Sequence, residues 1–150
     1  MSLHLFAILI LGLMCGSELN VGAFAHPVLN AQTPDVHVPV RAALAKLFGR
    51  IMPFWMALST FLNLALLFPF AGLNGIAWRF ATIAFAIQLL AVWFSIIYPV
   101  PINNRIKRWT TANVPRNWRS QERRWDAFHS LRTLGLIGAF ALLTISLAMR

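Results

Sequence analysis

Long uncharged runs separated by short basic segments constrain this chain more than any other feature of its sequence. Arg50 and Arg79 enclose 28 residues without a charged side chain, and 17 such residues lie between Arg132 and Arg150. A helix that crosses the hydrocarbon core of a bilayer needs about 20 apolar residues. With 59% hydrophobic and 11% charged residues among 150, a soluble domain of this size cannot bury so much apolar surface. The sequence therefore predicts an integral membrane protein.

The apolar runs predict an all-α fold, a four-helix transmembrane bundle that forms one domain over residues 1–150. The predicted spans cover approximately residues 3–26, 52–70, 78–98 and 125–149, with a basic loop over 99–124.

Proline sets most of the predicted boundaries, because it lacks a backbone N–H and disfavours helix in the residue before it. Pro27 is expected to end the first helix, and the segment from there to Pro39 is expected to be a loop. Pro53 is expected in the first turns of the second span, and residues 71–75 are expected to form a turn before the third.

The basic residues predict the orientation in the membrane. The loop before the second span holds three Lys and Arg residues and the loop over 99–124 holds seven, whereas the second loop has only Arg79 at its edge. By the positive-inside rule both basic loops are cytoplasmic and both termini are non-cytoplasmic. A multi-pass protein of an inner membrane, expected to be bacterial, follows. The same loops explain the net charge of +9, so nucleic-acid binding is not expected.

The first run also admits another interpretation. Ala23-Phe24-Ala25 resembles a signal-peptide cleavage site, and cleavage there would make His26 the new N-terminus. The lack of a basic N-terminal region and the interruption by Glu18 favour an uncleaved span instead. Cys15 is the single cysteine, which excludes a disulfide within the chain.

Polar side chains that are uncommon in membrane helices are predicted to meet at the cytoplasmic face. Trp125, His129 and Arg132 are spaced i, i+4 and i+7, so they share one face of the fourth helix. The ends of the other spans add His26, Asn103 and Asn104. Glu18 lies deeper on the first helix, where a carboxylate needs a partner, and Arg132 is the natural one. A structural salt bridge or ordinary headgroup contacts would use the same residues.

The residues that form this predicted polar site resemble a known family. The pattern comprises Gly16-x-Glu18, His26-Pro27, Pro101-x-Asn103-Asn104-Arg105 and Arg124-Trp125-x-x-x-His129-x-x-Arg132. It is similar to that of the anthrone-oxygenase-like membrane proteins and covers most of the chain. The resemblance implies a four-helix membrane protein. It also implies the oxygenation of an activated aromatic methylene to a quinone, without flavin or haem.

If the chain is such an oxygenase, its polar residues suit the reaction. An apolar, anthrone-type aromatic substrate has an acidic C–H that His129 or His26 would deprotonate. Arg132 and Asn104 would stabilise the enolate oxygen that develops. Glu18 completes the candidate catalytic set, and the candidate substrate-binding residues are Asn103 and Trp125. Replacement of His129 by Ala is expected to abolish oxygen uptake.

A metal-dependent version of the same function remains open. His26, His129 and Glu18 form a set of two histidines and one carboxylate, a ligand type that suits a single iron, copper or zinc ion. The alternative is an oxygenase without a cofactor.

The rival function is a non-catalytic small subunit that packs against a larger membrane complex. Gly12 with Gly16, and Gly135 with Ala139, would form its contact surfaces, because small residues let helices approach closely. The oxygenase, in contrast, is expected to be a homo-oligomer. Haem ligation by the two histidines and a transport function are less favoured.

Overall fold

The computed structural model describes residues 2–150, and helices are the only regular secondary structure over that range. The helices are α1 (Leu3–Asn20), α2 (His26–Asn30), α3 (Pro34–Ala65), α4 (Gly75–Ile97), α5 (Pro99–Ile106) and α6 (Trp118–Ala148). A π-helical segment, Val21–Ala25, joins α1 to α2, and a short 3-10 turn, Pro69–Ala71, lies between α3 and α4. The all-α class predicted from the sequence is confirmed.

Three helices are long and apolar enough to cross a bilayer, namely Leu3–Asn30, Gly75–Ile97 and Trp118–Ala148. They contain nearly all of the first, third and fourth predicted spans. The helix α3, which contains most of the second predicted span, is not among the three. Arg41, Lys46 and Arg50 lie among its first 17 residues, and it ends at Ala65, so its uncharged part is short. Three apolar helices of this length are typical of an integral membrane protein.

The prediction that the first helix ends at Pro27 is wrong. In the π-helical segment before it, the N–H of His26 bonds to the carbonyl of Val21, five residues back. Pro27 then lies in the first turn of α2, where the missing N–H has little consequence. The chain stays helical to Asn30, and His26 is held inside the bundle instead of at a helix end.

The prediction of a loop up to Pro39 is also wrong, because α3 begins at Pro34 and continues through Pro39 and Pro53. A proline inside a helix costs about 3 kcal/mol, but α3 has a buried face that includes Val38 and Arg41. Burial of that face stabilises the helix and offsets the low helix propensity of the two internal prolines. At the start of the helix, a hydrogen bond from Thr33 holds the pKa of the exposed Asp35 carboxyl below its usual value.

The turn predicted at residues 71–75 is confirmed. Gly72 has a φ of 65°, a left-handed conformation that favours glycine. Asn74 then caps α4, since its side-chain oxygen accepts a hydrogen bond of 3.0 Å from the N–H of Ala77.

The basic segment over residues 99–124 is only partly a loop. It contains the whole of α5 and the first turns of α6. Within α5, Ile102 and Ile106 are buried in a cluster with Val38 and Ala45 of α3. This packing brings α5 against the first half of α3 at one end of the bundle, which we call the polar end.

Small residues allow α4 and α6 to pack closely. Ala77, Ala81 and Ala84 are completely buried on α4, and Ala139 is completely buried on α6. At Gly12 of α1, an added Cβ would lie 2.8 Å from the ring of Phe140 on α6. Gly12 and Ala139 therefore serve contacts inside the bundle. Gly16 is open, with no atom within 4 Å of an added Cβ.

Candidate functional site

A cavity of about 390 Å³ opens at the polar end, and all six α-helices contribute to its lining. Every site residue predicted from the sequence lines it, namely Glu18, His26, Asn103, Asn104, Trp125, His129 and Arg132. Much of the remaining lining is apolar and comes from α3 and α4, with Phe48, Met52, Met56, Val92 and Ile96 among its residues. The cavity therefore combines apolar lining with a set of polar side chains.

Glu18 and Arg132 form the pair expected from the sequence, between α1 and α6. The Nη2 atom of Arg132 donates to Oε2 of Glu18, and Glu18 is 2% exposed. The Nη1 atom of Arg132 donates to the Ser95 hydroxyl of α4 over 3.2 Å. The guanidinium of Arg132 therefore connects α1, α4 and α6 at the cavity lining.

His129 has both ring nitrogens engaged by neighbouring groups. Its Nε2 lies 3.0 Å from the backbone carbonyl oxygen of Glu18 and donates to it. Its Nδ1 lies 3.1 Å from Nη2 of Arg132 and 3.2 Å from Oε2 of Glu18. Its ring stacks on Trp125 with centroids 4.7 Å apart. His129 therefore has no ring nitrogen left for a substrate while these contacts hold.

The π-helical segment places Gly22 directly against His129. A Cβ added at Gly22 would lie 3.1 Å from Cδ2 and 3.3 Å from Nε2 of the His129 ring. Any side chain at position 22 would press on the imidazole. Glycine therefore permits the short contact between His129 and the carbonyl of Glu18.

His26 is held by a carboxylate that the sequence reasoning missed. Its Nδ1 lies 3.0 Å from Oδ1 of Asp126. The Nη2 atom of Arg41 donates to the same oxygen over 2.8 Å, and the Arg41 guanidinium lies 4.7 Å from the centre of the Trp125 ring. The contact is not aligned as a hydrogen bond, but a carboxylate this close stabilises a positive charge on the ring. His26 therefore has a negative charge next to its imidazole.

Arg41 and Asp126 left only a weak signal in the sequence. Arg41 looks like a headgroup contact, yet it is 3% exposed and lines the cavity. Asp126 follows Trp125 and is spaced i+4 from Glu122 and i−3 from His129, which places all three acidic or basic side chains on one side of α6. That periodicity was the available clue.

A second histidine–carboxylate pair lies beside the cavity without lining it. His37 Nε2 lies 2.8 Å from Oε1 of Glu122, and His37 Nδ1 lies 2.8 Å from the carbonyl oxygen of Leu29. His37 is fully buried and its ring meets Trp118 edge to face. The pair joins α2, α3 and α6 and supports the wall that carries His26.

The two asparagines of α5 differ in their contacts. The Nδ2 atom of Asn103 donates to the carbonyl oxygen of Ala45 over 3.3 Å, which fastens α5 to α3. The Oδ1 atom of Asn104 accepts from Nζ of Lys107 over 3.1 Å, at a more exposed position. Asn104 and Lys107 thus form the α5 side of the cavity rim.

The candidate metal ligands do not fit a metal ion as they stand. The Arg132 guanidinium is bound to Glu18, where it would repel a cation, and His26 points its Nδ1 at Asp126. The rings of His26 and His129 are 6.0 Å apart. Across residues 2–150, no group of three or more His, Cys, Asp or Glu side chains is placed to hold a metal.

Comparison with known proteins gives one match. A family model described as Anthrone oxygenase matches residues 40–142, which is more than half of the chain. The match begins in α3 and ends in α6, so it includes Arg41, Asn103, Asn104, Asp126, His129 and Arg132. Neither the curated proteins nor the solved structures contain a match to this sequence.

Proposed function

The chain belongs to the anthrone oxygenase family, and from that membership we propose that it oxidises an activated methylene of an apolar aromatic substrate with O2. The observation that carries this proposal is the cavity at the polar end. It joins an apolar wall to a histidine whose Nδ1 faces a carboxylate, 3.0 Å away. Such an arrangement suits proton abstraction from a carbon acid.

The size and lining of the cavity support a flat aromatic substrate. Small-molecule sites have volumes of about 300–1,000 Å³ and are lined mainly by apolar groups with a few placed polar ones. At about 390 Å³, this cavity is at the small end of that range. Phe48, Met52 and Met56 offer apolar contacts to a ring system, and Trp125 offers a ring edge or face.

We assign the role of general base to His26. Of the two histidines that line the cavity, His129 uses both ring nitrogens in contacts with Glu18 and Arg132. His26 has Nδ1 beside Asp126, so Nε2 is the ring nitrogen left for a substrate. Asp126 would also stabilise the imidazolium that forms when the proton is taken.

Two buried arginines and an amide would stabilise the enolate oxygen of the deprotonated substrate. Nη1 of Arg41 and Nε of Arg132 are buried without a hydrogen-bond acceptor within residues 2–150. The amide of Asn104 adds a neutral donor at the rim. Preorganised donors of this kind are most effective where water is excluded. Trp125 and Asn103 would position the substrate.

The overall reaction balances without a further reductant. The methylene loses one proton to His26, and the resulting carbanion gives its electrons to O2 to form a C–O bond and a peroxide anion. Loss of the second C–H proton with cleavage of the O–O bond leaves a carbonyl and releases water. One CH2 group and one O2 thus become one C=O and one H2O, and His26 returns its proton during the release of water.

The same proposal includes four membrane spans, with the second half of α3 as the fourth member beside the three apolar helices. The polar end would then face the cytoplasm, because most Lys and Arg residues lie there. Both termini would lie on the opposite side. An apolar substrate dissolved in the bilayer would reach the cavity without crossing an aqueous phase.

The test is oxygen uptake by the protein purified in detergent, with anthrone as the probe and anthraquinone as the product to be measured. We expect the His26→Ala variant to lose about 100-fold or more of the turnover rate. His4→Ala is the matched control, because His4 bonds to the carbonyl of Leu143 and does not line the cavity. Full turnover in His26→Ala would exclude His26 as the base.

The non-catalytic subunit is the rival proposal, and the same preparation tests it. Of the small residues expected to form its contact surfaces, Gly12 and Ala139 already pack inside the bundle. Co-purification with a partner of fixed stoichiometry, together with no oxygen uptake, would favour the subunit.

A further inference from the structure

We infer that the cavity binds a substrate that carries a carboxylate, held by Lys107 at the rim. This inference rests on the proposed function, since it narrows the class of aromatic substrate for the same site. Two observations support the inference: the charged residues that line the cavity, and the contact of the Lys107 side chain with the backbone of α3 at Gly49.

The charges in the cavity leave one cation without a carboxylate partner. Four charged residues line it, Glu18, Arg41, Lys107 and Arg132. Arg132 is bound to Glu18, and Arg41 is bound to Asp126 just outside the cavity. Lys107 donates only to the neutral amide of Asn104, over 3.1 Å.

No other carboxylate of the chain is placed to neutralise Lys107. The chain has four acidic residues, and three of them are engaged by histidines and arginines around the polar end. The fourth, Asp35, is exposed at the start of α3. Within residues 2–150, Lys107 forms no salt bridge. A ligand carboxylate would supply the missing negative charge.

The backbone at Gly49 makes room for the ammonium group at this place. A Cβ added at Gly49 would lie 2.5 Å from both Cε and Nζ of Lys107, so the lysine lies directly on the surface of α3. Gly49 itself lines the cavity. The ammonium is therefore held at the rim by α3 below and Asn104 beside it, and it does not extend freely into solvent as a surface lysine would.

The anionic group could come from a substrate or from the phosphate of a lipid headgroup, because the polar end contains many basic residues. We commit to the substrate, since Lys107 lines a cavity whose remaining wall fits a ring system, and the other exposed basic residues of 105–124 do not line it. The experiment separates the two sources.

The experiment measures equilibrium binding of two matched probes to the detergent-solubilised protein, anthraquinone-2-carboxylate and the neutral anthraquinone-2-carboxamide. Neither probe needs to react, so the result does not depend on turnover. We expect the wild-type protein to bind the carboxylate about fivefold more tightly, as suits one partly exposed charge pair. The Lys107→Gln variant should bind both probes equally.

Two further variants make the test specific. Lys46→Gln removes the same charge from an exposed position of α3 outside the cavity, and it should keep the preference for the carboxylate. Gly49→Ala retains the charge but displaces the ammonium, and it should reduce the preference.

Equal affinity of the two probes for the wild-type protein would overturn the inference, as would a preference that survives Lys107→Gln or an absence of binding by both. Phosphatidylglycerol is added to the micelles to test whether Lys107 binds a lipid headgroup instead of the probe. Loss of the carboxylate preference on its addition, with lipid binding that depends on Lys107, would assign the lysine to a headgroup and overturn the inference. Oxygen uptake by the wild-type protein with neutral anthrone tests the proposed function separately, so a loss of the carboxylate preference alone overturns this inference and leaves the proposed function intact.

Discussion

Nδ1 of His26 lies 3.0 Å from Oδ1 of Asp126, across the contact between α2 and α6. The π-helical segment before His26 makes this contact possible, because it carries the helix past Pro27 and turns the histidine inward. The contact places a negative charge beside the imidazole of His26.

Asp126→Asn should lower kcat by roughly ten- to 100-fold and leave KM nearly unchanged, because an amide cannot stabilise the imidazolium of His26. The measurement is steady-state oxygen uptake with anthrone. Asp35→Asn is the control, since Asp35 is an exposed carboxylate at the start of α3. A normal kcat in Asp126→Asn would show that His26 works without this carboxylate.

Glu18→Gln should destabilise the protein by about 3–5 kcal/mol, because it leaves the charge of Arg132 buried without a partner. The loss should be smaller in the double variant Glu18→Gln with Arg132→Met, in which no unpaired charge remains. Chemical unfolding in detergent measures both. Equal destabilisation in the single and double variants would mean that the ion pair is not what stabilises this region.

Gly22→Ala should lower the stability by about 1–3 kcal/mol, as overpacking does, because the new methyl group would press on the His129 ring. Gly16→Ala is the matched control, in α1 just before the π-helical segment. A Cβ at position 16 meets no atom within 4 Å, and alanine is the better helix former. The midpoint of thermal unfolding should therefore fall in Gly22→Ala and should stay the same or rise in Gly16→Ala.

The content of iron, copper and zinc should not depend on His26 or His129, because Arg132 and Asp126 already occupy the groups that a metal would need. Elemental analysis of the wild-type protein, His26→Ala and His129→Ala provides the check. Stoichiometric metal in the wild-type protein that disappears in both variants would establish the two-histidine, one-carboxylate site after all.

Much of the fold follows from local sequence signals. Hydrophobic length predicts the helices at both ends of the chain and the one after Asn74, since the bilayer requires about 20 apolar residues whatever the tertiary structure. The turn at Gly72 follows from the conformational preference of glycine. The proline rules failed at Pro27, Pro39 and Pro53, because they describe local preference, and a π-helical segment or a buried helix face overrides it.

The candidate site was predicted only in part from the sequence. Helical spacing placed Trp125, His129 and Arg132 on one face, and the charge of Glu18 pointed to Arg132 as its partner, because a buried carboxylate needs a cation. Spacing could not distinguish His129 from His26 as the base. That distinction depends on which carbonyl, carboxylate or guanidinium meets each ring nitrogen, and those groups come from other helices.

The sequence by itself determined the helical class, the apolar helices, the basic polar end and the residue types available for chemistry, because these depend on composition and on short-range periodicity. Tertiary structure alone decided that Arg41 turns inward to Asp126. It also decided that His129 packs against Gly22 and Lys107 against Gly49, and that no carboxylate pairs with Lys107. Such pairings join residues far apart in the chain. Their energies depend on distances of a few ångströms, and only the packing of the helices sets those distances.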